Sequence, residues 1–96
     1  MGRDEILRVL HEFKERSQDR YGISRLGLFG SGARDKMSEN SDVDVVVEIA
    51  KPDMFALIGI KQDLEKGLNR PVDVVRYRDA MGAFLKDRID REAIYV

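Results

Sequence analysis

Residues 27–48 read GLFGSGARDKMSENSDVDVVVE and combine a glycine–serine pair with two closely spaced aspartates. A short apolar run ends at Gly30 and Ser31, ten residues intervene, and Asp42 and Asp44 then introduce a run of valines. Side chains alternate between the two faces of a β-strand. We therefore predict a strand over residues 43–49, with the two carboxylates side by side on one face and the alternate valines on the other.

The paired carboxylates of Asp42 and Asp44 indicate a cation site. Like charges at this separation repel, and a protein tolerates them best when a cation lies between them. Ligands that offer only oxygen select hard cations, and Mg²⁺ is commonly held by one or two carboxylates together with substrate phosphate. The pair therefore predicts magnesium bound together with a phosphorylated substrate.

Asp73 is a third acidic candidate. It lies in the segment PVDVV, which we predict as a strand over residues 72–75. A charge among valines is costly unless it is paired or coordinated. If this strand neighbours residues 43–49, the three carboxylates form a two-metal phosphoryl-transfer site. The alternative is a buried acid that pairs with Arg76 or Arg25.

Gly30 and Ser31 form a candidate phosphate site. A glycine at the end of a strand lets the backbone approach a phosphate closely. The amides that open the next turn of helix point toward such an anion, and the Ser31 hydroxyl is a further donor. Arg34 follows on the same segment and is expected to reach a phosphate oxygen or a nearby acid.

The remaining pattern predicts helices around a small sheet. Apolar spacing predicts a first helix over residues 4–20 and a second from Asp53 to about residue 68, and an apolar run predicts a strand over residues 23–29. Residues 31–35 are expected to form a turn of helix, Asp79 to cap a last helix, and residues 93–96 are a candidate fourth strand. The expected buried positions of the last two long helices are Met54, Leu57, Ile58, Leu64 and Leu68, and Met81, Phe84, Leu85 and Ile89. The order α-β-β-α-β-α-β predicts an α/β (α+β) fold with a small mixed sheet covered by helices.

Composition narrows the class of protein. A chain of 96 residues is expected to form one domain, residues 1–96, with one modest core. The net charge of −1 gives no basic field for DNA or RNA, so no direct nucleic-acid contact is expected. With no cysteine, no signal-peptide pattern and no long apolar stretch, we expect a cytoplasmic protein without a membrane partner.

Other phosphate and metal motifs do not match this stretch. A P-loop requires a Gly-Lys-Ser/Thr ending that the chain lacks, and a dinucleotide fingerprint requires a third glycine after Gly32. A calcium loop that starts at Asn40 would need glycine at its sixth position, where the chain has Val45.

The joint pattern of Gly30-Ser31, ten residues, and Asp42-x-Asp44 resembles the signature of the polymerase-beta-like nucleotidyltransferase superfamily. The stretch FGSGARDKMSENSDVDVVV is most similar to the minimal nucleotidyltransferases, or MNT domains, and the likeness extends to the third acid in PVDVV. One departure is Asp35, where members of the family often carry glycine after the Ala-Arg pair.

The resemblance implies both an activity and a partner. Residues that match Asp42, Asp44 and Asp73 bind two Mg²⁺ ions and serve catalysis in this family, and those that match Gly30 and Ser31 hold the nucleoside triphosphate. MNT proteins are paired with HEPN-domain toxins, so the resemblance implies an antitoxin that transfers AMP from ATP to a tyrosine of such a toxin.

Two other functions and a structural interpretation remain open at this stage. The chain could neutralise its partner by binding alone, with the acids serving only structure. It could also modify a small molecule such as an aminoglycoside, although 96 residues leave no room for a second domain that would shape the acceptor pocket. Taken singly, Gly30-Ser31 is typical of a plain turn, and Asp42 with Asp44 is typical of the solvated face of a strand.

Overall fold

The computed structural model describes residues 2–38, 41–51 and 53–96. Its elements follow the predicted order, with a two-residue fourth strand at the end of the chain. They are α1 (Arg3–Tyr21), β1 (Ile23–Phe29), α2 (Gly30–Ala33), β2 (Val43–Ile49), α3 (Met54–Leu68), β3 (Val72–Arg76), α4 (Ala83–Glu92) and β4 (Ile94–Tyr95). None of the helices in this described part has the length and hydropathy needed to cross a membrane.

The four strands form one mixed sheet in the order β3-β2-β1-β4. β2 runs antiparallel to β1 and parallel to β3, and β4 is antiparallel to β1. β2 lies inside the sheet, and its successive residues Val45, Val46 and Val47 are fully buried, so both of its faces are covered at this point. The mixed sheet and its helical cover confirm the predicted fold class.

The main core lies between one face of the sheet and helices α1 and α3. The alternate residues Val43, Val45, Val47 and Ile49 of β2 all join this core, as predicted. The buried face of α1 is the predicted one and consists of Ile6, Leu10, Phe13 and Ser17. These positions recur every three or four residues, so they share one side of the helix.

A smaller apolar cluster covers the opposite face of the sheet. Phe29 of β1 and Val46 of β2 are buried there against Ile89 of α4. Leu85 also packs on this cluster. The position of α4 matters for function because the predicted acidic residues of β2 and β3 point to this same face.

Three expected core residues are exposed, and these expectations were wrong. Phe84 is 88% exposed because it lies five residues from Ile89, about 140° away around a helix, whereas Leu85 lies four residues away. Met54 is 74% exposed in the first turn of α3, and Ile58 is exposed because it is turned about 100° from Leu57.

The helix boundaries and burial patterns show two further differences. The described core of α3 includes Ile60, which the pattern analysis did not select. Asp79 does not cap α4, because this helix begins at Ala83 and its N-cap residue is Gly82. By contrast, Asp53 caps α3 as predicted, since its side chain accepts a hydrogen bond from the Phe55 N–H.

Candidate active site

The register of the sheet brings Asp44 and Asp73 together. They are directly paired on the parallel strands β2 and β3, so their side chains leave the same face of the sheet. On its other side Asp44 pairs with Phe29, the last residue of β1. The end of β1 and the starts of β2 and β3 therefore meet at one point.

Asp42 joins these two acids from the residue just before β2. It is exposed, as is Asp73, whereas Asp44 is half-buried between them. Burial of Asp44 raises the pKa of its carboxyl, and the charges of Asp73 and Asp42 act in the same direction. The three predicted acids therefore form one electrostatically coupled group with Asp44 at its centre.

Asp73 does not occupy the buried environment that its valine neighbours suggested. It lies on β3, the edge strand of the sheet, and its side chain is exposed. Arg25 pairs with Glu48 instead, at 3.5 Å between Nε and Oε1. No ion pair with Asp73 occurs among the described residues, so the alternative of a buried acid paired with Arg25 or Arg76 was wrong.

Gly30 directly follows β1 and lies against the Asp44 carboxylate. Its φ angle of +71° lies in the left-handed region that favours glycine. A Cβ atom at this position would lie 2.3 Å from Oδ2 of Asp44, far inside van der Waals contact. Both the backbone angle and the space therefore require glycine here.

The segment after Gly30 folds as the short helix α2. Ser31 is half-buried beside Gly30, and the N–H of Arg34 donates to the Gly30 carbonyl oxygen at 3.2 Å. The predicted turn of helix over residues 31–35 is thus present and begins one residue earlier. This turn packs against β2, and Arg34 lies close enough for its charge to act on the Asp44 carboxyl.

Arg34 reaches an acid on α4 that pattern analysis did not select. Its guanidinium donates to Oε1 of Glu92, and Arg88 donates to Oε2 of the same carboxylate at 3.0 Å. Burial of Glu92 works to raise its pKa, but the two arginines outweigh it and leave this pKa below the usual range. Glu92 therefore holds two cations in place beside the acidic group.

Arg88 is the second residue that sequence reasoning missed. Its Nη2 atom would lie 3.3 Å from a Cβ atom on Gly30, and its guanidinium lies over the Phe29 ring at 5.7 Å. Its charge works against the raised pKa of Asp44. The only sequence signal was the i, i+4 spacing of Arg88 and Glu92, which does not say what that face of the helix meets.

The donor set suits a hard cation, although the described side chains do not form a closed metal cluster. No three His, Cys, Asp or Glu side chains within the described ranges are arranged to enclose an ion. Mg²⁺ does not need such a cage, because it keeps several waters and takes further oxygens from substrate phosphate. Three coupled carboxylates with only oxygen donors fit this kind of binding.

Comparisons with known proteins agree on one family. The sequence matches the nucleotidyltransferase domain family over residues 8–96. It is 31% identical to the protein adenylyltransferase MntA of Thermococcus cleftensis, over 97% of this chain and 94% of that protein.

Two solved structures share the fold. One is described as a candidate minimal nucleotidyltransferase, with a TM-score of 0.80, 33% identity, and coverage of 98% of this chain and 95% of that one. The other is a complex of a tri-AMPylated Shewanella oneidensis HEPN toxin with an MNT antitoxin. Here the TM-score is 0.61 and the identity is 21%, with coverage of 97% of this chain and 66% of that one.

Proposed function

The chain belongs to the nucleotidyltransferase domain family, and from that membership we propose that it transfers AMP from ATP to a tyrosine of a HEPN-domain toxin. One observation carries the proposal: the sheet register pairs Asp44 with Asp73 at the strand end where Gly30 packs against Asp44. The MntA relative, which aligns with nearly the whole chain, is named a protein adenylyltransferase. This name supports the proposal that the AMP acceptor is a protein.

We assign the metal-binding role to Asp42, Asp44 and Asp73. Asp42 and Asp44 would hold one Mg²⁺, and all three acids would hold a second. When bound, these ions neutralise the triphosphate and lower the pKa of the acceptor hydroxyl. Their charge would also offset the mutual repulsion that raises the pKa of Asp44.

We assign nucleotide binding to the segment that begins at Gly30. The absence of a side chain on Gly30 brings the backbone close to the Asp44 carboxylate, beside which the phosphates would lie, and Ser31 adds a hydroxyl donor. Arg34 lies close enough to act on the charge of Asp44 and, with Arg88, is held by Glu92. The two arginines therefore offer positive charge beside the proposed phosphate site.

The proposed reaction is an in-line displacement at the α-phosphorus of ATP. The tyrosine oxygen forms a bond to this phosphorus while the bond to the pyrophosphate oxygen breaks, so that AMP-tyrosine and pyrophosphate result. Asp73, which is exposed at the edge of the sheet, would accept the hydroxyl proton. Positioning and charge neutralisation account for most of the rate in such transfers.

The direct test is transfer of label from ATP. We expect this protein, Mg²⁺ and ATP labelled at the α-phosphate to label the HEPN toxin encoded beside it, and peptide mass spectrometry to locate AMP on a tyrosine. A toxin that is bound and silenced yet carries no label would show that the protein acts by binding alone.

Arg88 gives a second prediction. We expect Arg88→Gln to weaken binding of ATP about tenfold, since a hydrogen bond to a charged group contributes about 1.5–3 kcal/mol and part of this is lost to solvent screening. The Kd for Mg²⁺ and a nonhydrolysable ATP analogue, measured by calorimetry, checks it.

Arg91→Gln is the matched control, because Arg91 lies on the same helix but is 70% exposed and pairs with Asp87. We expect its Kd to equal that of the parent. If the parent and both variants bind the ATP analogue with equal affinity, Arg88 does not contribute to nucleotide binding.

A further inference from the structure

The outer edge of β3 carries backbone groups that face away from the sheet. The Pro71 carbonyl accepts a hydrogen bond from the Val43 N–H, and the Tyr77 N–H donates to the Val47 carbonyl. The odd-numbered residues of this segment therefore direct their backbone groups toward β2. Because hydrogen-bonding groups alternate along a strand, Val72, Val74 and Arg76 direct theirs outward. No strand in the described part of the chain pairs with this edge.

One of these outward groups is already used. The Val72 N–H donates to Oε2 of Glu65 at 3.0 Å. The Val72 carbonyl, both backbone groups of Val74 and the Arg76 N–H are in the right positions to pair with one further short strand. An edge of this kind is a template for an added strand.

A groove of about 590 Å³ lies beside this edge. Both faces of β3 contribute to it: Val74 lies with Leu57 and Met54 of α3, and Val75 lies with Met81 and Leu85. Alternate side chains of an added strand would therefore enter apolar surroundings on both faces. Strand addition draws affinity from backbone hydrogen bonds and specificity from such side-chain pockets.

The positive charge of the groove favours a negatively charged ligand. Arg76 and Arg78 line it, and within the described residues neither has an ion pair. The one acid in the lining, Asp53, is engaged in capping α3, where it accepts the Phe55 N–H at 2.9 Å. The positive charge available to a ligand therefore calls for acidic side chains.

We propose that the edge of β3 binds an extended acidic segment of the acceptor protein as an added strand, which delivers the tyrosine to Asp73. This inference rests on the proposed function. Asp73 and Arg76 lie three residues apart on one strand, which corresponds to about 10 Å. The segment would therefore carry an acidic residue about three positions from its tyrosine.

Amide hydrogen exchange of the ¹⁵N-labelled protein tests the docking without requiring catalysis. The probe is a random copolymer of glutamate and tyrosine, added with Mg²⁺, and the control probe is a copolymer of lysine and tyrosine. We expect the glutamate polymer to slow exchange at the Val74 and Arg76 amides at least about tenfold, as for amides that enter a strand pair. The lysine polymer should leave both unchanged.

A double variant tests the charge selection. Arg76→Glu with Arg78→Glu should remove protection by the glutamate polymer, and Lys61→Glu with Lys66→Glu should retain it. The second pair makes the same change of charge at exposed positions outside the groove.

Three results would overturn the inference: no protection at Val74 and Arg76, equal protection by both polymers, or protection that rises with protein concentration when no polymer is present. The last result would mean that a second copy of the chain covers the edge. Transfer of label to the HEPN toxin is measured separately. Loss of transfer alone therefore counts against the proposed function, whereas loss of amide protection alone counts against the docking mode.

Discussion

Asp44→Asn is expected to abolish AMP transfer while the fold is kept or becomes more stable. Mutation of a residue that only hydrogen-bonds to a metal ligand typically lowers activity or metal affinity about 10–100-fold. Loss of a proposed ligand itself should therefore reduce transfer at least about 100-fold. The label-transfer assay measures this loss. The loss of transfer and the retained stability have different causes and are measured separately.

The stability part follows from the raised pKa of Asp44. Burial and the charges of Asp73 and Asp42 disfavour its ionised form in the folded protein. A carboxyl whose pKa is raised by folding lowers stability as pH increases through that pKa, because the unfolded chain releases its proton first. Asparagine cannot ionise, so the melting temperature of the metal-free variant at neutral pH should equal or exceed that of the parent.

Asp87→Asn provides the matched control. It makes the same chemical change on an exposed residue of α4 whose partner is Arg91 at the surface. We expect full transfer activity from this variant. If Asp44→Asn transfers label as well as the parent does, Asp44 has no catalytic role. If it unfolds the protein, the stability part of the prediction is wrong.

Gly30→Ala is expected to lose both activity and stability. Alanine at a φ of +71° costs about 1–2 kcal/mol in backbone strain. Its Cβ would also lie 2.3 Å from Oδ2 of Asp44, so the carboxylate must move away from the site. We therefore expect a lower melting temperature, together with transfer reduced at least as strongly as by Asp44→Asn.

A second glycine-to-alanine change separates these effects from alanine substitution in general. Gly67 lies within α3, where an added Cβ would meet only Val9 at 3.5 Å, an ordinary contact. Gly67→Ala should raise stability by up to about 1 kcal/mol, because alanine loses less backbone entropy in a helix. Retained transfer and an unchanged melting temperature in Gly30→Ala would show that nothing depends on the close approach at this turn.

Much of the fold followed from local spacing. The faces of β2 were predicted correctly because a period of two residues is a property of any strand, whatever it packs against. The buried face of α1 was correct for the analogous reason, since residues three and four apart share one side of a helix. The expectation for Phe84 was wrong because it lies about 140° from Ile89 around α4, and the side of α4 that meets the sheet is set by tertiary packing.

The residues of the candidate site could be selected from the amino-acid sequence alone. The spacing of Gly30, Asp42 and Asp44 and the acid within PVDVV were sufficient to select the carboxylates and the glycine turn. The pairing of Asp44 with Asp73 was predicted only on the condition that their strands are neighbours. The register of the parallel pair met that condition.

The surroundings of these residues became visible only in the tertiary structure. It placed Glu92 against Arg34, 58 residues away along the chain, and it exposed Asp73 at an edge that a strand pattern cannot distinguish from the centre of a sheet. Local periodicity determines which side of its own element a side chain occupies. Which element it then faces depends on how helices and strands distant in sequence pack together, and that packing placed Arg88 beside Asp44.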